Sequence, residues 1–178
     1  MITQKLVKEF FDYNPTTGAL FRKERDLKWF PSKATWKMWN KRFANQELDR
    51  KNDKGYKRVF IEGVDYPLHR IIWLWMTGVF PENQIDHINQ NKTDNKWENL
   101  REVKNSENCK NQKLRSTNKT GIIGTHKLPS GNIRASITVN GLRIKLGTYT
   151  SLEEARLVRK TAEQKYGFHK NHGSNISQ

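Results

Sequence analysis

The chain has 178 residues and 21.0 kDa, room for one ordinary domain or two small ones. Its 33 Lys and Arg against 18 Asp and Glu give a formal net charge of +15, an excess whose natural partner is a polyanion. Six Trp, eight Phe and five Tyr argue against a disordered basic tail despite a mean hydropathy of −0.92, and a single cysteine, Cys109, excludes an internal disulfide and zinc sites built from four Cys or two Cys and two His.

In chain order, residues 2–13 have helical apolar spacing through Leu6, Val7, Phe10 and Phe11. Asn14 to Gly18, NPTTG, reads as a turn, and residues 19–22 as a short strand. The stretch 23–48 places Trp29, Trp36 and Trp39 among many cations, read as packing aromatics. Residues 56–61 and 64–68 read as a hairpin around Glu62-Gly63, followed by a short buried helix over 69–77 closed by Gly78. After Pro81 come a strand over 84–88, a polar loop over 89–98, a strand over 100–103 and a helix capped near Asn105 or Ser106. Its apolar run, residues 71–76, is too short to cross a bilayer, and an N-terminus that carries acidic residues and no small-residue cleavage site predicts a cytoplasmic protein.

Residues 110–120, KNQKLRSTNKT, are polar, basic and without apolar period, and are read as joining two units. The charge is uneven across that join: the first 100 residues carry a net +5 and the last 78 a net +10. Beyond it, a short strand over 121–127 precedes strict alternation over 132–139, with Ile133, Ala135, Ile137 and Val139 on one face. Asn140-Gly141 is a strong hairpin signal, and residues 142–146 alternate again. Ser151 to Glu154 is a capping box, opening a helix with Leu152, Ala155, Val158, Ala162 and Tyr166 on one stripe. His169 and His172 are assigned to a flexible tail, and Cys109 is expected to face the small core.

The segment 85–111, IDHINQNKTDNKWENLREVKNSENCKN, bears the chemistry. It sets Asp86 and His87 at a strand end, Asn99 twelve residues after His87 and Asn108 nine beyond that. In a strand–loop–strand–helix arrangement the helix can fold back to bring Asn108 beside Asp86 and His87. Oxygen donors from Asp86 and Asn108 suit a hard divalent cation, Mg²⁺ or Mn²⁺. An adjacent His87 suits removal of a proton from an attacking water. Together these are the parts for phosphodiester hydrolysis.

This segment resembles the phage-type HNH endonucleases with a ββα-metal fold. The residues that carry the resemblance are His69-Arg70, Ile85-Asp86-His87-Ile88, Asp94-Asn95, Glu98-Asn99-Leu100-Arg101 and Ser106-Glu107-Asn108, with Asp12 to Gly18 ahead of them. The resemblance implies His87 as general base, Asp86 as metal ligand and Asn99 as the residue that bonds across the loop and holds the base. Asn108 stands where many members have His, which implies a harder, Mg²⁺-like preference. His69 is placed under the site, with Asn95 as a second supporting residue. Residues 120–167 resemble the Apetala/ethylene-response-factor DNA-binding domain through Gly121 to Gly124, Gly131 to Ile137, Leu146 to Tyr149 and Ser151 to Arg156. That likeness implies a sheet face reading bases in the major groove, here Asn132, Arg134, Ser136, Thr138, Arg143 and Lys145. Its first strand departs from the plant domain in having Ile122 and Ile123 where arginines are usual.

The expectation is therefore an α+β chain. Residues 1–111 form a ββα-metal nuclease domain with an N-terminal extension, 112–119 a basic linker, 120–168 a three-stranded antiparallel sheet packed on one helix, and 169–178 a tail. The expected function is a homing-type, metal-dependent cleaver of double-stranded DNA, monomeric or homodimeric; the alternative is a non-catalytic DNA-binding regulator. A ribonucleoprotein-type aromatic strand motif is missing, which disfavours RNA.

Overall fold

The computed structural model describes residues 2–174, and the chain divides into two compact units, residues 1–102 and 103–178. In the first, helix α1 (Gln4–Phe10) is capped by the Thr3 hydroxyl, which accepts from the Leu6 amide at 3.3 Å, and it buries Val7 and Phe10. The helix stops three residues short of the expected end. Phe11 and Tyr13 alternate inward as strand β1 (Phe11–Tyr13), antiparallel to β2 (Leu20–Arg22), so that both aromatics reach the core without continuing the helix. The Asn14 side chain folds the turn between them, accepting from the Thr16 and Thr17 amides at 3.0 and 3.1 Å.

Helix α2 (Lys33–Phe43), capped by Ser32, buries no residue. The hairpin β3 (Arg58–Ile61) and β4 (Val64–Pro67) turns at Glu62-Gly63 and feeds α3 (Leu68–Thr77), which buries Leu68, His69, Ile71, Ile72 and Leu74 and is closed by Gly78. Phe11, Leu20, Leu68, Ile71 and Ile72 are among the most completely buried side chains of this unit, each stabilising it by about 1.5–3 kcal/mol. Strands β5 (Gln84–His87) and β6 (Leu100–Val103) pair, and α4 (Asn105–Asn108) follows them in the second unit.

The second unit holds a sheet in the order β7 (Thr125–Lys127), β8 (Ile133–Val139), β9 (Leu142–Tyr149), antiparallel throughout, and helix α5 (Leu152–Lys165). Asn132 lies ahead of β8 rather than in it. Strand β9 runs three residues beyond the expected end because of a bulge: Ala135 pairs with Gly147 and Ser136 with Lys145, leaving Leu146 as the extra residue. The bulge resets the parity of the strand, so Leu146 and Tyr149 both pack on the core of Ile133, Ala135 and Ala155. On α5 the buried face is Ala155, Arg159, Ala162 and Glu163; Leu152 of the expected stripe is exposed. Two more expectations fail. Cys109 is exposed. His172 is 3% exposed, packed edge-on to Phe168 at 4.8 Å and within 3.4 Å of the Arg159 guanidinium, so the chain is ordered by packing through that residue; the tail expectation for residues 175–178 lies outside the described residues.

Candidate active site

Strand β5 buries its last three residues, Ile85, Asp86 and His87. A polar loop follows, and Asn99 closes it. The Asn99 side chain accepts from the Asn89 amide at 2.9 Å and donates to Asn89 Oδ1 at 3.0 Å and to the Asp94 carbonyl at 2.7 Å, while Ile88 N–H donates to the Asn99 carbonyl. Asn89 also donates to Asp94 Oδ2 at 2.6 Å. Asn and Asp side chains thus replace the backbone ladder that so tight a loop lacks.

The loop's second product is the position of Asn95, 1% exposed, whose Oδ1 lies 3.0 Å from His87 Nε2. With the amide oxygen accepting, Nε2 carries the proton and the basic lone pair is on Nδ1. Burial lowers the His87 pKa below its ordinary value, against the opposing pull of Asn95, Asp86 and Asp94, so the ring is neutral near pH 7. His69 on α3 meets His87 edge-to-face at 5.2 Å and is itself held neutral, its pKa pushed down to about 3 chiefly by burial.

Asn95 is held from outside the loop. Tyr13 Oη donates to the Asn95 carbonyl at 2.7 Å, and the Trp97 amide donates to the Pro15 carbonyl. Gly18 lies on the Asn95–Lys96 peptide so closely that a Cβ there would stand 2.5 Å from Lys96 N. The N-terminal turn therefore braces the residue that holds the histidine. Tyr56, which the sequence reading passed over, stands 6.0 Å from His87 and 5.4 Å from His69 between ring centres, with Lys92 Nζ 4.7 Å over its face. Arg101 is a further member: its Nε and Nη2 donate to Asp86 Oδ2 at 3.0 and 2.8 Å. Arg70 donates to the Pro81 and Asn83 carbonyls and fixes the turn before β5.

The structure gathers Asp86, His87, Asn95, Asn99 and His69 in the first unit, while Asn108 lies on α4 of the second. Asp86 offers a carboxylate oxygen of the kind that suits a hard cation, its charge balanced by Arg101. Among the described residues no group of three or more His, Cys, Asp and Glu is placed to hold a metal.

In the second unit the solvent face of the sheet carries Arg134 and Thr138 of β8 and Arg143 and Lys145 of β9. Ser136 is not on offer there. It is buried, accepts from Arg143 Nε and Nη2 at 3.2 and 3.1 Å, and so aims the arginine. The ladder adds His126 and Thr148, both opposite Arg134, which alternation within one strand did not reveal.

Residues 66–110 match the family model described as HNH endonuclease. Over those residues the chain is similar to the HNH endonucleases. It is also 33% identical over 103 residues to an uncharacterized HNH endonuclease of Acanthamoeba polyphaga mimivirus, a match covering 56% of this chain and 53% of that protein. The chain thus spans about half the length of this curated relative. No solved structure matches. No helix among the described residues is long and apolar enough to cross a membrane. The matched HNH segment contains α3, β5, the loop and β6, so His69, Asp86, His87, Asn95, Asn99 and Asn108 all fall inside it, whereas Tyr13, Gly18 and Tyr56 lie ahead of it.

Proposed function

We propose that this chain is a divalent-metal-dependent DNA endonuclease. One observation carries the reading: a buried, neutral His87, fixed in orientation by Asn95 and adjacent to the Asp86 carboxylate, within the HNH segment. His87 takes a proton from a water that attacks the scissile phosphorus, and the bond to the leaving 3′ oxygen breaks as that oxygen takes a proton from solvent water, giving 5′-phosphate and 3′-hydroxyl ends. Asn95 keeps the proton on Nε2, so the ring presents a base rather than a donor. Asn99 keeps the loop closed around it. Asp86 and Asn108 would hold Mg²⁺ or Mn²⁺, which supplies positive charge to the phosphate when bound. The sheet face of Asn132, Arg134, Thr138, Arg143 and Lys145 contacts the duplex, with arginine suited to guanine and asparagine to adenine in the major groove.

The test is conversion of supercoiled plasmid in Mg²⁺, Mn²⁺ or EDTA, wild type beside His87→Ala. Metal-dependent nicking or linearisation, reduced by at least about a hundredfold in the variant, is the expected result. Equal cleavage by both proteins removes His87 as the base. Tight binding without cleavage by either makes the chain a DNA-binding regulator.

A further inference from the structure

Residues 22–43 hold eight Lys and Arg against two acidic residues, a net +6, whereas the first 100 residues together carry only +5. All of the first unit's positive excess therefore sits in one strap and helix α2. That helix is attached by one side only. Trp36 Nε1 and Asn40 Nδ2 both donate to the Arg25 carbonyl, at 2.7 and 3.0 Å, and Asn40 Oδ1 accepts from the Arg25 amide. The Arg25 guanidinium is clamped between the rings of Phe10 at 4.1 Å and Trp39 at 4.4 Å. The tryptophans are thus spent on anchoring the helix. Its other side is left to Lys33, Lys37 and Lys41, all exposed, with Met38 beside them at 65% exposure.

A spacing of four residues puts these three lysines in one row about 12 Å long. None of the three belongs to an ion pair among the described residues, although Lys28, Lys57 and Arg58 of the same unit each do. An eleven-residue helix that buries nothing, is pinned through a half-buried arginine and displays an unpaired cationic row is poorly explained by stability alone. Unpaired lysines along a helix match a phosphate backbone, to which they contribute counterion release and no base readout.

We infer that the Lys33–Lys37–Lys41 face of α2 is a second DNA-contact surface, gripping the phosphate backbone of the duplex independently of the sheet in the other unit. The inference rests on DNA being the substrate, and its test separates the two. Duplex affinity is measured as a function of salt for the full chain in a His87→Ala background, so the DNA stays intact. Lys33→Gln/Lys37→Gln/Lys41→Gln is compared with a control of equal charge change at exposed lysines elsewhere, Lys5→Gln/Lys51→Gln/Lys165→Gln. The α2 triple should flatten the slope of log K against log salt by about 2.7, near 0.9 per lost phosphate contact, and weaken binding at least about tenfold at 0.1 M salt. The control should change the slope by less than about 1. Equal effects from both triples overturn this surface and leave the nuclease reading intact. No salt-dependent duplex binding by the parent protein overturns both. Unchanged circular dichroism melting of the α2 triple shows that a lost contact, not a lost fold, produced the effect.

Discussion

At the scale of single residues, the site is a chain of positioning contacts that ends on one nitrogen. His87 depends on Asn95, and Asn95 depends on Tyr13 and Gly18, some eighty residues earlier. Gly18 sits at φ 78, in the left-handed region, and a methyl group there would meet the Asn95–Lys96 peptide itself rather than a side chain that can swing aside. Gly18→Ala is therefore expected to cost about 1–3 kcal/mol of stability. The loop moves with it, so cleavage should fall by at least about tenfold while duplex affinity stays within about twofold. Parallel plasmid-cleavage and filter-binding measurements check it, and a proportional loss of both would show that the turn does not act through Asn95. The Asp86-His87 pair and the spacings to Asn99 and Asn108 were legible in the sequence because they are short-range and belong to one motif. The tie from Tyr13 to Asn95 was not, because a tertiary hydrogen bond between a phenol and a backbone carbonyl leaves no periodicity.

Among the elements, β8 and α5 mark the two ways in which pattern reading worked and failed. The alternation that located β8 is a direct consequence of side chains pointing to opposite faces. It did not show that Ser136, on the polar face, is covered where it accepts from Arg143. On α5 the apolar stripe placed Ala155 and Ala162 on the covered face but missed its other half, because apolar periodicity cannot anticipate a buried ion pair. Arg159 and Glu163 lie on the covered face, 3.3 Å apart between Nε and Oε1, and Arg159 Nε also donates to the Ile123 carbonyl at 2.7 Å. Removing one partner of such a pair leaves a buried charge uncompensated, at a cost of about 3–5 kcal/mol, whereas replacing both with apolar residues is close to neutral. Arg159→Leu should therefore melt the second unit at markedly lower temperature, and Arg159→Leu/Glu163→Leu should recover most of the loss. Hydrogen-exchange mass spectrometry on α5 and β8 resolves this unit within the full chain. A double variant no more stable than the single one would mean that the pair itself, rather than the avoidance of a lone charge, supports the helix. The β9 bulge adds a local requirement of the same element: a side chain at Gly147, φ 133, would meet the Tyr149 hydroxyl at 2.6 Å, the same hydroxyl that donates to the Leu146 carbonyl and holds the bulge.

Over the whole molecule, each unit buries a neutral histidine next to cations, and this sets the pH range in which the chain stays folded. His69 has its pKa pushed down to about 3 by burial, with His87, Arg70 and Arg58 adding to the effect. His172 is pushed down to about 4 by burial, then by Arg159 and Lys160, against the Lys110 backbone carbonyl, which accepts from the ring and acts the other way. The other titratable side chain facing His172 is Glu163, 3.9 Å away. In the unfolded chain both histidines return to about 6.5 and bind protons more readily than the folded forms. Stability is therefore complete above about pH 6.5 and declines as pH falls from there toward the folded values, by up to about 1.4 kcal/mol per unit for each histidine. Thermal unfolding of the full chain, followed by far-ultraviolet circular dichroism from pH 7.5 to 5.0, should show the melting temperature falling by several degrees below pH 6.5. His172→Gln, which keeps a polar side chain but cannot titrate, should make that fall shallower. An unchanged slope in the variant would mean that acid reaches the second unit by another group. The same sign governs activity, because a base that must be neutral and a fold that prefers neutral histidines both fail in acid. A loss of cleavage that set in at higher pH than the loss of folded structure would assign the acid limb to the site itself, and coincident losses would assign it to unfolding.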